Sequence, residues 1–77
     1  MKKTLKQIQS SVATLFDEAS VLSAAGDNAG AIQAYQRWLT GHGVSPLAHA
    51  VLFNLGVLQV EAGELIAAEN SYREALK

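Results

Sequence analysis

The sequence predicts an all-α fold in which four helices form two antiparallel hairpins. Apolar residues recur at spacings of three and four along each long segment, which is typical of a helix with one buried face. Gly26 and Gly63 each follow such a segment, and the second half of the chain repeats features of the first. No segment shows the alternation of apolar and polar residues expected of a half-buried strand.

The first helix is predicted over residues 4–25. Thr4 and Gln7 can form a capping box at its start, and Gly26 can adopt the left-handed conformation that ends a helix. Its apolar residues are spaced 3, 4, 3, 4 and 3 apart, and they are Leu5, Ile8, Val12, Leu15, Ala19 and Leu22.

The second helix is predicted over residues 28–40. Asp27 and Asn28 are polar residues that can cap its first turn, and a turn is expected at residues 41–43, where two glycines flank a histidine. The apolar positions are Ala31, Ile32, Tyr35, Trp38 and Leu39.

The third helix is predicted over residues 46–62, with Ser45 as its cap, Pro46 in its first turn and Gly63 after its end. The fourth helix should begin near Glu64, since a negative charge suits a helix N-terminus. Its apolar side consists of Leu65, Ala68, Tyr72, Ala75 and Leu76.

Composition excludes several classes of function. At 77 residues and 8.2 kDa the chain holds one small domain, and a net charge of −1 does not favour nucleic-acid binding. It has no cysteine, and no apolar segment is long enough to be a signal peptide or to cross a membrane. We therefore expect a cytoplasmic protein that binds neither membranes nor nucleic acids.

The histidines and the serine beside them do not predict a catalytic or metal site. His42 and His49 are too few for a zinc site, and Ser45 before Pro46 is more economically a helix cap than a nucleophile. The glycines form no phosphate-binding loop. The expectation is a protein with no catalytic activity, metal or cofactor.

A shift of 37 residues aligns the chain with itself. Over residues 12–40 and 49–77 it gives eight identities in 29 aligned pairs, where roughly two or three would arise by chance. Among the identities are Ala31 with Ala68, Tyr35 with Tyr72, and Gly26 with Gly63. The chain is therefore predicted to be a duplicated helical hairpin.

The second unit resembles the tetratricopeptide repeat family. Its matching residues are Leu52, Leu55, Gly56, Gln59, Gly63, Ala68, Tyr72, Ala75 and Leu76. The resemblance implies that Gly56 and Ala68 let the paired helices approach, while Tyr72 and Leu76 fill the space between hairpins. It implies a short right-handed solenoid, here with a period of 37 residues instead of 34.

The resemblance also divides the single domain of residues 1–77. Residues 1–11 extend the first helix, 12–40 form the first repeat, 41–48 form the connection and 49–77 form the second repeat. Three positions depart from the family pattern: Leu52 replaces the preferred Trp, Gln59 the preferred Tyr and Trp38 the preferred Ala.

In this family the first helix of each hairpin lines a concave surface that contacts partners. The positions carried over are Phe16, Ser20, Ser23, Ala50, Phe53, Asn54, Val57 and Val60. Only Asn54 could serve the family's carboxylate-binding groove, so an apolar groove for an amphipathic helix is the expectation. Equally, Phe53 and Val57 could pack against the extended first helix or a neighbouring chain.

The predicted function is a scaffold or adaptor that binds a protein segment and associates with itself, most simply as a dimer. The candidate interface residues are Leu5, Ile8, Leu65, Tyr72 and Leu76. Two geometries are open, namely end-to-end stacking, and a two-fold dimer in which the first helix meets Phe53, Val57 and Val60. The second is slightly favoured, because the extra N-terminal turns would otherwise have no role.

An alternative function is suggested by the residues that follow the connection. The runs at 45–50 and 53–56 are similar to repeats that precede the catalytic region of bacterial glycosyltransferases of the SPINDLY type. On that interpretation the chain is the N-terminal repeat segment of a larger enzyme.

Overall fold

A computed structural model of the chain describes residues 5–42 and 45–77, with no side-chain description at residues 5, 6 and 8–10. The described residues contain no strand and form four helices: α1 (Leu5–Ala24), α2 (Asn28–His42), α3 (Ala48–Glu61) and α4 (Leu65–Ala75). The all-α prediction is confirmed. Thr4, the predicted cap of the first helix, lies outside the described residues.

The helices pack in chain order, α1 against α2, α2 against α3, and α3 against α4. Cross-helix contacts show that α1 and α2 are antiparallel. Near the connecting turn, Ser23 Oγ lies 3.0 Å from Asn28 Oδ1. At the other end, Trp38 Nε1 donates a hydrogen bond of 2.9 Å to Ser11 Oγ. The packing of α2 on α3 joins this hairpin to the one formed by α3 and α4.

Both hairpins turn through the same backbone motif. Gly26 and Gly63 have φ values of +83° and +80°, the left-handed region that favours glycine. The amides of Asp27 and Glu64 donate to the carbonyls of Leu22 and Gln59, each at 2.8 Å, and each glycine amide donates three residues back. These are Schellman motifs, so the two glycines end α1 and α3 as predicted.

The residue after each glycine immediately precedes the next helix, but the two caps differ. Asp27 Oδ1 accepts a hydrogen bond of 2.9 Å from the Gly30 amide and thereby caps α2. Glu64 occupies the equivalent position before α4, and its side chain makes no capping bond. Its longer side chain leaves α4 without the side-chain cap that α2 has.

Helix α2 continues to His42, two residues beyond the predicted end at residue 40. The predicted turn was wrong at Gly41 and His42. The His42 ring stacks on Trp38 with 4.3 Å between ring centroids, and His42 Nδ1 lies 3.0 Å from the Trp38 carbonyl oxygen. This stacking holds the last turn helical, which the glycine in the sequence had argued against.

Helix α3 begins at Ala48, two residues later than predicted. Ser45 and Pro46 form the turn before it instead of its first turn. Ser45 Oγ accepts a hydrogen bond of 3.2 Å from the Leu47 amide, and the Ser45 carbonyl accepts one of 3.0 Å from Ala48. Ser45 therefore caps this turn, as serines commonly do. The prediction that Ser45 caps the third helix was wrong, because Leu47 precedes α3 and no side chain caps it.

The hydrophobic core is continuous across the two hairpins. Its buried residues are Val12, Leu15, Ala19, Ala31, Ile32, Ala34, Tyr35, Trp38, Ala48, Val51, Leu55 and Leu58. Ala31 and Ala68 are both buried, in agreement with the close helix packing predicted for them. A Cβ built on Gly56 would lie 2.6 Å from the Tyr72 ring, so only glycine admits this ring.

Tyr72 and Leu76 do not fill the space between the hairpins, contrary to expectation. The Tyr72 ring lies against Gly56 and Phe53 within its own hairpin, and Leu76 is exposed. The equivalent residue Tyr35 is buried, because α3 packs on α2 and no described helix packs on α4 in that way.

Replacing Gly63 with Ala should lower the free energy of unfolding by about 1 kcal/mol or more, because Ala is strained at positive φ. No atom lies within 4 Å of the position a Cβ would take, so the backbone is the only source of strain. Gly41→Ala is the matched control, since its Cβ would also meet open space, but within a helix. We expect this variant to gain about 0.5–1 kcal/mol in urea denaturation. A stabilised Gly63→Ala variant would contradict the motif.

Replacing Asp27 with Ala should cost about 1 kcal/mol, because the substitution removes the bond to the Gly30 amide. Glu64→Ala removes the carboxylate at the equivalent position, where no capping bond exists, and should change stability by less than about 0.5 kcal/mol. Thermal and urea unfolding of the two variants provide the measurement. Equal losses would show that charge at the helix N-terminus matters more than the capping bond.

Candidate functional site

A groove with a volume of about 400 Å³ lies between α1 and α3, with α2 beneath it. It forms because α1 and α3 both pack antiparallel to α2 and so run side by side in the same direction. The lining residues are Phe16, Ala19, Ser20, Ser23, Ala24, Tyr35, Asn54, Val57, Leu58 and Glu61.

Tyr35 is the residue that α2 contributes to this groove. It is only 6% exposed, and its ring meets Phe16 edge to face with 5.9 Å between centroids. Burial raises the pKa of the Tyr35 phenol above its ordinary value of 10.0. Tyr35 is therefore a neutral hydrogen-bonding group in this groove.

Five of the eight predicted partner-binding residues line this groove: Phe16, Ser20, Ser23, Asn54 and Val57. They come from two helices that are far apart in sequence. Two of the polar side chains already have partners within the chain. Ser23 contacts Asn28, and Asn54 Nδ2 donates a 2.9 Å hydrogen bond to the Ala50 carbonyl.

The other three, Ala50, Phe53 and Val60, lie on α3 but do not line the groove. Phe53 is 57% exposed and packs against Tyr72 at 5.4 Å, as Phe16 packs against Tyr35. By the 37-residue offset, Phe53 and Val60 correspond to Phe16 and Ser23. Phe53 and Val60 thus occupy on α3 the positions that Phe16 and Ser23 occupy on α1.

The sequence interpretation missed half of the groove residues, namely Ala19, Ala24, Tyr35, Leu58 and Glu61. Tyr35 was assigned only to the apolar side of the second helix. When two parallel helices pack on a third, that third helix forms the floor between them. Applying this rule to the predicted hairpins would have identified Tyr35.

Electrostatics at the groove are set by Glu61. Among the described lining residues it is the only ionised side chain, and it is exposed at the α3 wall. The groove therefore has a weakly negative end near the turns that follow α1 and α3. No lysine or arginine among the described lining residues could hold a carboxylate.

A second depression, of about 470 Å³, lies between α1 and α2. Glu18 and Arg37 belong to its lining, as does the Trp38 indole that donates to Ser11. It contains none of the predicted partner-binding residues.

The predicted oligomer residues differ in their exposure. Leu65 and Leu76 are 64% and 88% exposed, whereas Tyr72 is half-buried. Ile66, which the sequence interpretation omitted, is 80% exposed beside Leu65. The side chains of Leu5 and Ile8 lie outside the described residues.

His42 and Ser45 are both engaged in local structure, through Trp38 and the Leu47 amide respectively. Within residues 5–42 and 45–77, no three histidine or acidic side chains are grouped so as to hold a metal ion. None of the described helices combines the length and the hydropathy needed to cross a bilayer.

The chain matched no known protein family, no curated protein and no solved structure.

Raising the pH above about 10 should destabilise the protein in part through Tyr35, because the unfolded tyrosine loses its proton near that pH. The folded phenol retains its proton to higher pH, so its contribution to stability is present below pH 10 and is lost as the pH rises. The melting temperature of Tyr35→Phe should therefore fall less than that of wild type when the pH is raised from about 9 to about 11.

Ultraviolet titration of Tyr72→Phe provides a direct check, because Tyr35 is then the only tyrosine in the chain. Its ionisation midpoint should lie above 10.0. A midpoint at or below this value would show that the phenol is solvated.

Proposed function

We propose that this chain is an adaptor of the tetratricopeptide repeat type, with two repeats, that binds an amphipathic helix of a protein partner in the groove between α1 and α3. The observation that carries the proposal is the groove itself, in which Phe16, Tyr35 and Val57 provide apolar contact surface. Polar side chains lie beside them in the same lining, namely Ser20, Ser23, Asn54 and Glu61. Its function is binding, without a cofactor or a catalytic step.

Equivalent packing in the two hairpins supports the repeat assignment. At three pairs of positions, residues 37 apart in the sequence have equivalent conformations or contacts. The glycines form the same turn motif, the small residues Ala31 and Ala68 are both buried, and each tyrosine packs against the equivalent phenylalanine. A duplicated hairpin that repeats its contacts in this way is what repeat architectures are built from.

The chemistry of the groove favours a helix with one apolar face. Both walls combine apolar and polar side chains, with Phe16 and Ser20 on α1 and Val57 and Asn54 on α3. A helix with apolar anchors on one face, at spacings of three and four residues, can contact the apolar side chains while its polar flanks meet the others. Glu61 favours a basic residue at one end of the partner segment.

The proposal is tested with a displayed library of helical peptides selected against the whole chain. Selected peptides should carry apolar residues at helical spacing and a basic residue at one end, and should bind with a Kd below about 100 μM by calorimetry. Ser20→Arg fills the groove with a side chain that can reach towards Glu61. This variant should bind at least about tenfold more weakly, a loss of roughly 1.4 kcal/mol.

Gln36→Arg is the matched control. It adds the same side chain to an exposed position of α2 that does not line the groove. We expect it to bind the selected peptides as wild type does. Equal losses in the two variants would indicate a charge effect without a groove, and a library with no binders would reject the proposed function.

A further inference from the structure

Helix α4 has an apolar surface that no described part of the chain covers. Leu65, Ile66 and Leu76 are 64%, 80% and 88% exposed. Leu65 and Ile66 begin this helix and Leu76 directly follows it, and the charged residues between them include Glu69 and Arg73. These two form an ion pair with side chains that are 60% and 70% exposed.

The repeat offset shows that a further hairpin stacked as α3 stacks on α2 would be a poor occupant. Ile32 of α2 is 5% exposed, and its equivalent in α4 is Glu69. Stacking of that kind would carry an ionised carboxylate into an apolar interface, which is costly unless a cation lies opposite. The favoured occupant therefore supplies a positive charge opposite Glu69 and apolar groups on both sides of it.

A second copy of the same helix meets this requirement. Ile66, Glu69, Arg73 and Leu76 are spaced 3, 4 and 3 apart, so they lie on one face of α4. The order along this face is apolar, acidic, basic, apolar. In a second helix that runs in the opposite direction, a basic residue therefore lies opposite each acidic one and an apolar residue opposite each apolar one. This face is its own complement when two copies pack antiparallel.

We propose that the chain forms a two-fold symmetric dimer through antiparallel packing of α4 against α4 of a second copy. Ile66 of one protomer contacts Leu76 of the partner subunit, and Glu69 pairs with Arg73 of the partner subunit. Each contact occurs twice because the interface is isologous. Of the predicted interface residues, the dimer uses Leu76, and it does not need the first helix.

The interface is small, because one helix of eleven residues forms it on each side. Interfaces at the low end of the size range are weak and transient, so we expect half-dimerisation on the order of 100 μM protein. The groove between α1 and α3 lies on other helices, so it stays open in the dimer. This dimer does not depend on the function proposed for the groove.

Sedimentation equilibrium between about 10 μM and about 1 mM tests the proposal with charge-reversal variants. Glu69→Arg places two arginines opposite two arginines, and Arg73→Glu places glutamates opposite glutamates, so each variant alone should remain near 8.2 kDa. An equimolar mixture of the two should form a heterodimer, because every charged contact is then between opposite charges. The double exchange should dimerise as wild type does.

Glu74→Arg is the control, since this exposed glutamate pairs with Lys77 and lies away from the proposed face. It should dimerise as wild type does, and circular dichroism should show that all variants keep their helix content. A wild-type chain that stays at 8.2 kDa up to about 1 mM would overturn the proposal. So would a dimer that persists in both single variants, since its interface would then lie elsewhere. Failure of the two single variants to associate when mixed would overturn the antiparallel arrangement.

Discussion

The packing of α2 against both α1 and α3 is the interaction on which the rest of this molecule depends. A single hairpin has an apolar face that it cannot bury by itself. Helix α2 packs against α1 within the first hairpin and against α3 of the second, so it joins the two hairpins through their apolar faces. Ala31, Ile32 and Tyr35 are all buried along it. The same arrangement places α1 and α3 on either side of one groove. The groove between them is thus a consequence of burying α2. Its floor is Tyr35, which is also a residue of the hydrophobic core.

The second hairpin contains one buried polar pair where the first hairpin has two apolar residues. Leu22 and Ala34 of the first hairpin correspond to Gln59 and Ser71 of the second, where Ser71 Oγ donates a 2.6 Å hydrogen bond to Gln59 Oε1 in the core. Both residues are buried, and the described chain has no buried side-chain polar atom without a partner. A buried pair of this kind is costly to break, so it favours one helix register within the second hairpin.

The four helices and their glycine turns could be predicted from sequence, because a glycine with positive φ is required by local backbone geometry. The C-terminal end of α2 and the start of α3 could not. The stacking of His42 on Trp38 is a side-chain contact that outweighs the helix-breaking tendency of Gly41. The groove was predicted in part for a similar reason. Phe16 and Val57 follow from the first helices alone, whereas Tyr35 becomes a groove residue only when α3 is placed on α2.

The sequential order of helix packing has a consequence for how binding and folding are coupled. The main contacts run from α1 to α2, α2 to α3 and α3 to α4, so a terminal helix is held by one neighbour whereas α2 and α3 are each held by two. Such a chain can open from its ends at less cost than it unfolds as a whole. A helix bound in the groove would contact both α1 and α3. It would therefore add a second link between these two helices, which are otherwise joined mainly through α2. The binding free energy of the ligand would then include the cost of keeping α1 packed on α2. In turn, a higher occupancy of the groove would lower the fraction of molecules in which α1 is detached.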